Sequence, residues 1–204
     1  HSQQTNNIFK LTQICHSMKK IYYYLIGIFL LIISFFLDNS IANFFVGNRV
    51  AFFDSIAILI NNIPFYIFFA FILIILLLFK QKDKILPLLL TFILYLGTTQ
   101  LIKIIVARPR PFTKFDFQNL GAEDVNRSFP SGHATASASV IRFFEFNRIL
   151  LYIWIIVTIL VMFSRVYLGM HYLSDVIAGL ILGYFISDLS IFLVDKFKKR
   201  KGTS

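Results

Sequence analysis

Long apolar stretches separated by short polar segments run through most of this chain. The stretches are long enough to predict six membrane-spanning helices, at residues 21–37, 64–79, 85–106, 131–146, 149–163 and 172–194. Several are shorter than the roughly 20 residues that a bilayer core requires, so their ends are approximate. A further apolar stretch at 50–60 contains Asp54 and is too short to cross, which predicts a short interfacial helix between the first two spans.

Composition places the chain in the all-α polytopic membrane class. Hydrophobic residues make up 57% of its 204 positions, whereas soluble domains average about 45–50%. Residues 18–204 are expected to form a single six-span domain. Residues 1–17 are polar and show no periodic spacing of apolar residues. They are predicted to be a segment added for protein expression or a disordered tail.

The basic residues predict how the chain is oriented. Although the formal net charge is +10, the lysines and arginines flank apolar stretches, which argues against a nucleic-acid partner. The N-terminus, the 80–84 loop, Arg148 and the 196–201 tail would share the cytoplasmic side. The segments 38–63, 107–130 and 164–171 then lie on the opposite side, the periplasm or cell exterior of a bacterial inner membrane.

Three polar motifs fall at the ends of spans on that outer side. They are Lys103 with Arg110-Pro111, Pro130-Ser131-Gly132-His133, and Ser164-Arg165 with His171 and Asp175. The orientation was derived from charges outside these motifs, yet it brings all three to one face. We therefore predict one active site there. Because Cys15 is the single cysteine and carboxylates are few, we expect neither a metal site nor a cofactor.

The second motif has the chemistry of an anion site. Ser131 is a favoured N-cap, Gly132 lets an anion approach the backbone, and the free N–H groups of a helix N-terminus attract phosphate. His133 would lie beside that anion. Taken alone, the same four residues are a weak signal and are more often an ordinary helix cap.

The other two motifs supply a nucleophile and cations. His171 and Asp175 are four residues apart, so on a helix Asp175 could accept the Nδ1–H of His171 and leave Nε2 free to attack. Arg165 can present a planar fork to phosphate oxygens. In the first motif either Arg108 or Arg110 could reach the phosphate, and spacing alone does not choose. The alternatives are a structural hydrogen bond and arginines that extend to lipid headgroups.

Together the motifs resemble the type 2 phosphatidic acid phosphatase superfamily, in its membrane lipid phosphatase branch. That family's signatures are Lys-X6-Arg-Pro, Pro-Ser-Gly-His and Ser-Arg-X5-His-X3-Asp, and every fixed position is matched here. The resemblance implies that His171 attacks phosphorus and becomes a phosphohistidine, that Asp175 orients it, and that His133 protonates the leaving oxygen and later activates water. It implies a phosphate clamp of five groups: Lys103, Arg110, Arg165, Ser131 and Gly132.

The expected function is hydrolysis of a lipid phosphomonoester or pyrophosphate. Undecaprenyl pyrophosphate, phosphatidylglycerol phosphate and lipid A phosphates are candidate substrates that the sequence does not rank, and it leaves the oligomeric state open. The alternatives are a lipid phosphotransferase, an anion transporter and a lipid-binding scaffold. Outside the motifs, Arg142 and Glu145 are predicted to pair at the cytoplasmic end of the fourth span, and the 112–129 loop covers the site.

Overall fold

The computed structural model describes residues 2–62, 64–116 and 125–201, with side chains from Ile21 onward except at 61, 65 and 66. The described residues form seven α-helices and contain no β-strand. The α-helices are α1 (Ser2–Gly47), α2 (Ala51–Asn61), α3 (Phe65–Leu78), α4 (Ile85–Val106), α5 (Gly132–Ser139), α6 (Arg148–Tyr167) and α7 (Leu173–Lys201). Short 3₁₀ helices lie at Lys82–Lys84, Pro111–Thr113 and Ile141–Phe144. The all-α prediction is confirmed for these residues.

Four helical segments of the described chain are long and apolar enough to cross a membrane. They are Ile21–Gly47, Lys82–Thr113, Arg148–Tyr167 and Leu173–Lys201, so the count of six spans is not confirmed. The predicted second span is α3, which has only 14 residues. The predicted fourth span is divided, because the α-helix ends at Ser139 and the chain continues as a 3₁₀ helix at Ile141–Phe144.

The short helix α5 is enclosed by protein on nearly all sides. Six of its eight residues are buried, and all six are Ala, Ser or Thr. Two glycines of α7 allow this close packing. A Cβ at Gly179 would lie 2.8 Å from the carbonyl oxygen of Ser131, and one at Gly183 would lie 2.3 Å from the carbonyl oxygen of Thr135. The backbones of α5 and α7 therefore meet where these glycines lie, as at small-residue contacts between membrane helices.

The N-terminal helix is longer than predicted. α1 includes the segment interpreted as a tail, and at its other end it extends past residue 37 to Gly47. The status of residues 1–17 stays a prediction. The extension matters for the site, because it places Asp38 inside the helix, where only 3% of the residue is exposed.

The short helix predicted between the first two spans is α2, although its place at a membrane interface stays a prediction. It packs on α6, and Asp54 accepts a hydrogen bond from the hydroxyl of Tyr167 at 2.8 Å. The same carboxylate pairs with Arg49 at 2.9 Å. These contacts fasten α2 to the end of α6 from which the third motif continues.

The predicted Arg142–Glu145 pair is present, with 2.6 Å between the guanidinium and the carboxylate. Arg142 also lies 3.0 Å from Asp188 of α7 and 3.3 Å from the hydroxyl of Tyr184. Because Arg142 is almost fully buried, the second carboxylate gives its charge a partner inside the bundle.

Candidate active site

Backbone hydrogen bonds join the segments that carry the three motifs. α4 ends at Ala107 in the left-handed conformation, and the chain turns into a loop whose Arg110 N–H donates to the carbonyl of Val125. Phe112 N–H donates to Gly169 in the turn after α6, and Ser131 N–H donates to the carbonyl of Asp175. The segments predicted to share one face are thus in direct contact.

His171 lies at the centre of this cluster and is 2% exposed. Its Nδ1 is 2.7 Å from the carbonyl oxygen of Ser128. A carbonyl can only accept, so Nδ1 carries the proton in the neutral ring and the lone pair is on Nε2. That lone pair faces the guanidinium of Arg110, whose Nη1 is 3.4 Å away.

Arg110 and Lys103 reach the pocket from the end of α4 and the loop after it. Arg110 is held by the carbonyl of Met170, to which its Nη1 donates at 2.9 Å. The Nζ of Lys103 donates to the carbonyl of Arg127 at 2.9 Å. Both cations are therefore anchored to backbone carbonyls next to other motifs, which orients them without cancelling their charge.

The Pro-Ser-Gly-His motif forms the start of α5, as predicted. The hydroxyl of Ser131 caps the helix by accepting from Ala134 N–H at 3.5 Å. A Cβ added at Gly132 would lie 3.9 Å from Cε of Lys103 and 3.6 Å from the hydroxyl of Tyr95. The partly exposed backbone of Gly132 therefore adjoins the lysine side chain, an arrangement that suits an anion.

The electrostatic environment of His171 is positive. Burial lowers the pKa of His171 well below 6.5, and the charges of four neighbours lower it further. Those neighbours are Arg165, Arg110, Lys103 and His133. All the predicted cations, together with His133, thus lie near enough to act on this imidazole. Among the described residues there is no group of three His, Cys, Asp or Glu side chains that could hold a metal ion.

Asp175 differs from its expected position. Its Oδ2 is 3.7 Å from Nδ1 of His171, which is beyond hydrogen-bond distance, so the direct bond predicted from the four-residue spacing is absent. The spacing rule fails because α7 begins at Leu173 and His171 lies in the turn before it. Asp175 instead accepts from the hydroxyl of Ser128, whose carbonyl holds His171.

The side chains of Arg108 and Arg110 extend in different directions. This distinguishes the two arginines, either of which could reach the phosphate by sequence spacing alone. Arg110 faces His171, whereas Arg108 pairs with Asp175 and with Asp38, each at 2.7 Å. The sequence analysis missed Asp38 and Ser128. A carboxylate at the end of an apolar stretch was a usable signal for Asp38, while nothing in the sequence distinguished Ser128.

The family model of the PAP2 superfamily matches residues 84–199, which is more than half of the chain and includes all three motifs. The chain belongs to the PAP2 superfamily. The resemblance drawn from the motifs is thereby confirmed.

The relatives of this PAP2 chain are named phosphatases. An undecaprenyl-diphosphatase from Sulfolobus acidocaldarius is 28% identical over 192 residues, 85% of this chain and 92% of that protein. Phosphatidylglycerophosphatase B from Bacillus subtilis is 33% identical over 127 residues, 54% of this chain and 58% of that protein.

Solved structures share the fold. A transmembrane PAP2-type phosphatidylglycerolphosphate phosphatase from Bacillus subtilis superposes with a TM-score of 0.61 at 25% identity, covering 88% of this chain and 97% of that one. LpxE from Aquifex aeolicus superposes with a TM-score of 0.60 at 23% identity, covering 76% of this chain and 95% of that one. The chain is thus a multi-pass membrane protein, and the phosphatases that it resembles are consistent with a lipid phosphate hydrolase.

Proposed function

We propose that this chain hydrolyses a lipid phosphomonoester or pyrophosphate through a phosphohistidine on His171. One observation supports this most strongly: Nδ1 of His171 is bound to the Ser128 carbonyl, so the unprotonated Nε2 faces Arg110 within a cluster of cations. A neutral imidazole with its lone pair directed at an anion-binding pocket is an activated nucleophile.

The proposed reaction has two steps. The Nε2 lone pair of His171 attacks phosphorus, the bond from phosphorus to the lipid oxygen breaks, and His133 gives that oxygen its proton. A water molecule, deprotonated by His133, then attacks the phosphohistidine, which releases inorganic phosphate and regenerates Nε2. Lys103, Arg110 and Arg165, with the Ser131 cap and the Gly132 backbone, would hold the oxygens on which charge builds up.

An apolar groove beside the site supports a lipid substrate. It encloses about 290 Å³ and lies between α1, α4 and α7. Ile102 and Pro130 line it, and each directly precedes a proposed phosphate-binding residue, Lys103 or Ser131. A hydrocarbon chain in the groove would therefore keep its phosphate end near the cations. Undecaprenyl pyrophosphate and phosphatidylglycerol phosphate are the first candidates, since the curated relatives are named for them, and lipid A phosphate is a third.

We further propose that the site faces the periplasm or exterior, with both termini in the cytoplasm. The basic segments at 80–84 and 196–201 support this orientation. The described contacts agree with a common side for these segments, because Lys198 Nζ donates to the carbonyl of Asp83.

The test is release of phosphate by the purified protein, in detergent with EDTA, from a panel of lipids. The panel holds undecaprenyl pyrophosphate, phosphatidylglycerol phosphate, phosphatidic acid and lipid A, with His171→Ala as the control. We expect release from at least one lipid and none from the variant. Loss of phosphate from the substrate with its appearance on a second lipid, and no inorganic phosphate, would indicate a transferase, and binding without any turnover would indicate a scaffold.

A further inference from the structure

We propose that Asp38 and Arg108 are positioning residues for His171, which act through Asp175 and Ser128 and make α1 a part of the active site. The inference rests on the proposed role of His171 as nucleophile. It concerns residues to which neither the motifs nor the comparisons assign a role.

The first step is the geometry of Arg108. Its Nη1 donates to Oδ1 of Asp175 and to the hydroxyl of Ser174, each at 2.7 Å, and its Nη2 donates to Oδ2 of Asp38 at 2.7 Å. The guanidinium also stands 4.1 Å from the centre of the Tyr172 ring. Two carboxylates and an aromatic face thus fix its plane, and both of its terminal nitrogens donate to groups of this network.

The second step is the burial of Asp38. A carboxylate on a membrane helix is strongly disfavoured unless it is paired. Asp38 accepts from Arg108, from the backbone N–H of Ser174 at 2.9 Å and from the Ser174 hydroxyl. Both oxygens of Asp38 therefore bind groups next to Asp175, so α1 is fastened to the start of α7 at the site itself.

The third step joins this network to the reacting ring. Oδ2 of Asp175 accepts from the Ser128 hydroxyl and from Tyr172 N–H, and the Ser128 carbonyl accepts from Nδ1 of His171. Phosphorylation of Nε2 places positive charge on the ring. The negative charge of the Asp175 carboxylate, 3.7 Å from Nδ1, stabilises that positive charge. Arg108 and Asp38 determine where the carboxylate lies, so they determine both the tautomer and this stabilisation.

A purely structural clamp would join the same helices, so the test must separate the two roles. Asp38→Asn keeps the shape and removes the charge. We expect kcat to fall about tenfold or more, while KM and the inhibition constant of inorganic phosphate change less than about threefold, because ground-state phosphate binding is not altered. Retention of kcat within about twofold would overturn the inference.

Asp54→Asn is the matched control. Asp54 also pairs with an arginine, Arg49, and with a tyrosine hydroxyl, that of Tyr167, and no hydrogen bond of the described residues connects it to Asp175. The same chemical change there should leave kcat unaltered. An equal loss of kcat in both variants would show a general effect on the bundle and would also overturn the inference.

A double variant tests the order of action. If Asp38 acts through Arg108, then Asp38→Asn should cause little further loss of kcat in an Arg108→Gln background. Losses that multiply would mean that Asp38 acts by another route, which contradicts the proposed chain of contacts.

A spectroscopic measurement keeps the inference testable without turnover. In ¹⁵N NMR spectra of protein labelled at histidine, the signals of His171 are those that disappear in the His171→Gln variant. In the wild type these signals should show the Nδ1–H tautomer. In Asp38→Asn they should show that the Nε2–H tautomer is also populated. Ser174→Ala, which removes a bridging hydroxyl but no charge, serves if Asp38→Asn does not fold. An unchanged tautomer would overturn the inference, whereas a wild type that releases phosphate from no lipid would count against the proposed function alone.

Discussion

At the residue scale, the reactivity of His171 depends on the charges around it. Burial and the four neighbouring charges hold its pKa well below 6.5. The folded protein therefore keeps His171 neutral at pH values where a free imidazole would be protonated. The same shift means that the contribution of this residue to folding stability falls as the pH drops below 6.5, because protons then bind preferentially to the unfolded chain.

This shift predicts the acid side of the pH profile. A nucleophile with an unshifted pKa near 6.5 would lose about eightfold in kcat/KM between pH 7.0 and 5.5. For this protein we expect a loss of less than about threefold, because His171 stays neutral. The lipid phosphate itself ionises near pH 6. Its pKa is measured from the ³¹P chemical shift, and the measured kcat/KM is corrected for the fraction of substrate in each ionisation state. If kcat/KM fell the full eightfold at pH 5.5 and recovered on return to pH 7.0, the lowered pKa of His171 would be contradicted.

At the element scale, α5 carries the N-terminus that we propose binds phosphate, and α7 determines where it lies. The carbonyl of Thr135 and the backbone N–H of Ser139 both lie within 3 Å of the place that a Cβ at Gly183 would occupy. Backbone atoms cannot rotate away as a side chain can. Any side chain at this position must therefore push the whole of α5 outward.

We accordingly expect Gly183→Ala to impair both stability and turnover. Overpacking of this kind lowers the free energy of unfolding by about 1–3 kcal/mol, and displacement of Ser131 and His133 by about 1 Å should lower kcat about a hundredfold. Thermal unfolding in detergent and phosphate release measure the two effects.

Gly97→Ala is the control for that substitution, because among the described residues no atom outside the adjacent backbone of α4 lies within 4 Å of a Cβ at Gly97. It should be neutral or slightly stabilising, since alanine favours the helix. If Gly183→Ala behaved like Gly97→Ala, the close contact between α5 and α7 would be contradicted.

The elements also indicate where sequence analysis reaches its limit. The motifs and the loop charges were enough to predict that the three motifs meet on one face. They did not predict that α5 would stop after eight residues, since small residues permit a helix of any length and the packing of α3, α4, α6 and α7 around this one is not visible in a local pattern. Similarly, the four-residue spacing of His171 and Asp175 predicted a direct bond, but the start of α7 at Leu173 is fixed by packing that no local pattern reveals.

At the scale of the whole molecule, polar groups occupy two separate ends of the bundle. One holds His171 with its cations, and the other holds Arg142 with Glu145 and Asp188. Arg142 lies nine residues beyond His133, at least about 13 Å along the chain axis, because the 3₁₀ helix that follows α5 rises more per residue than an α-helix. The two clusters therefore cannot bind the same phosphate, and we expect the second to act in the packing of the bundle.

The two ends should lie on opposite sides of the membrane. In a background with Cys15→Ser, single cysteines at Asp116 and Lys82, both exposed, report the side. In spheroplasts an impermeant maleimide should label Asp116→Cys directly and Lys82→Cys only after permeabilisation. The reverse pattern would place the site in the cytoplasm, and labelling of both without permeabilisation would contradict the topology.

The central claim is that phosphate passes through Nε2 of His171. The most direct measurement is a rapid quench with a lipid labelled in its terminal phosphate, followed by mapping of the labelled peptide. We predict an acid-labile, base-stable phosphoenzyme on His171 that forms and decays at rates compatible with turnover, and no such species in His171→Ala. A label on another residue, or turnover that persists in His171→Ala, would contradict the account.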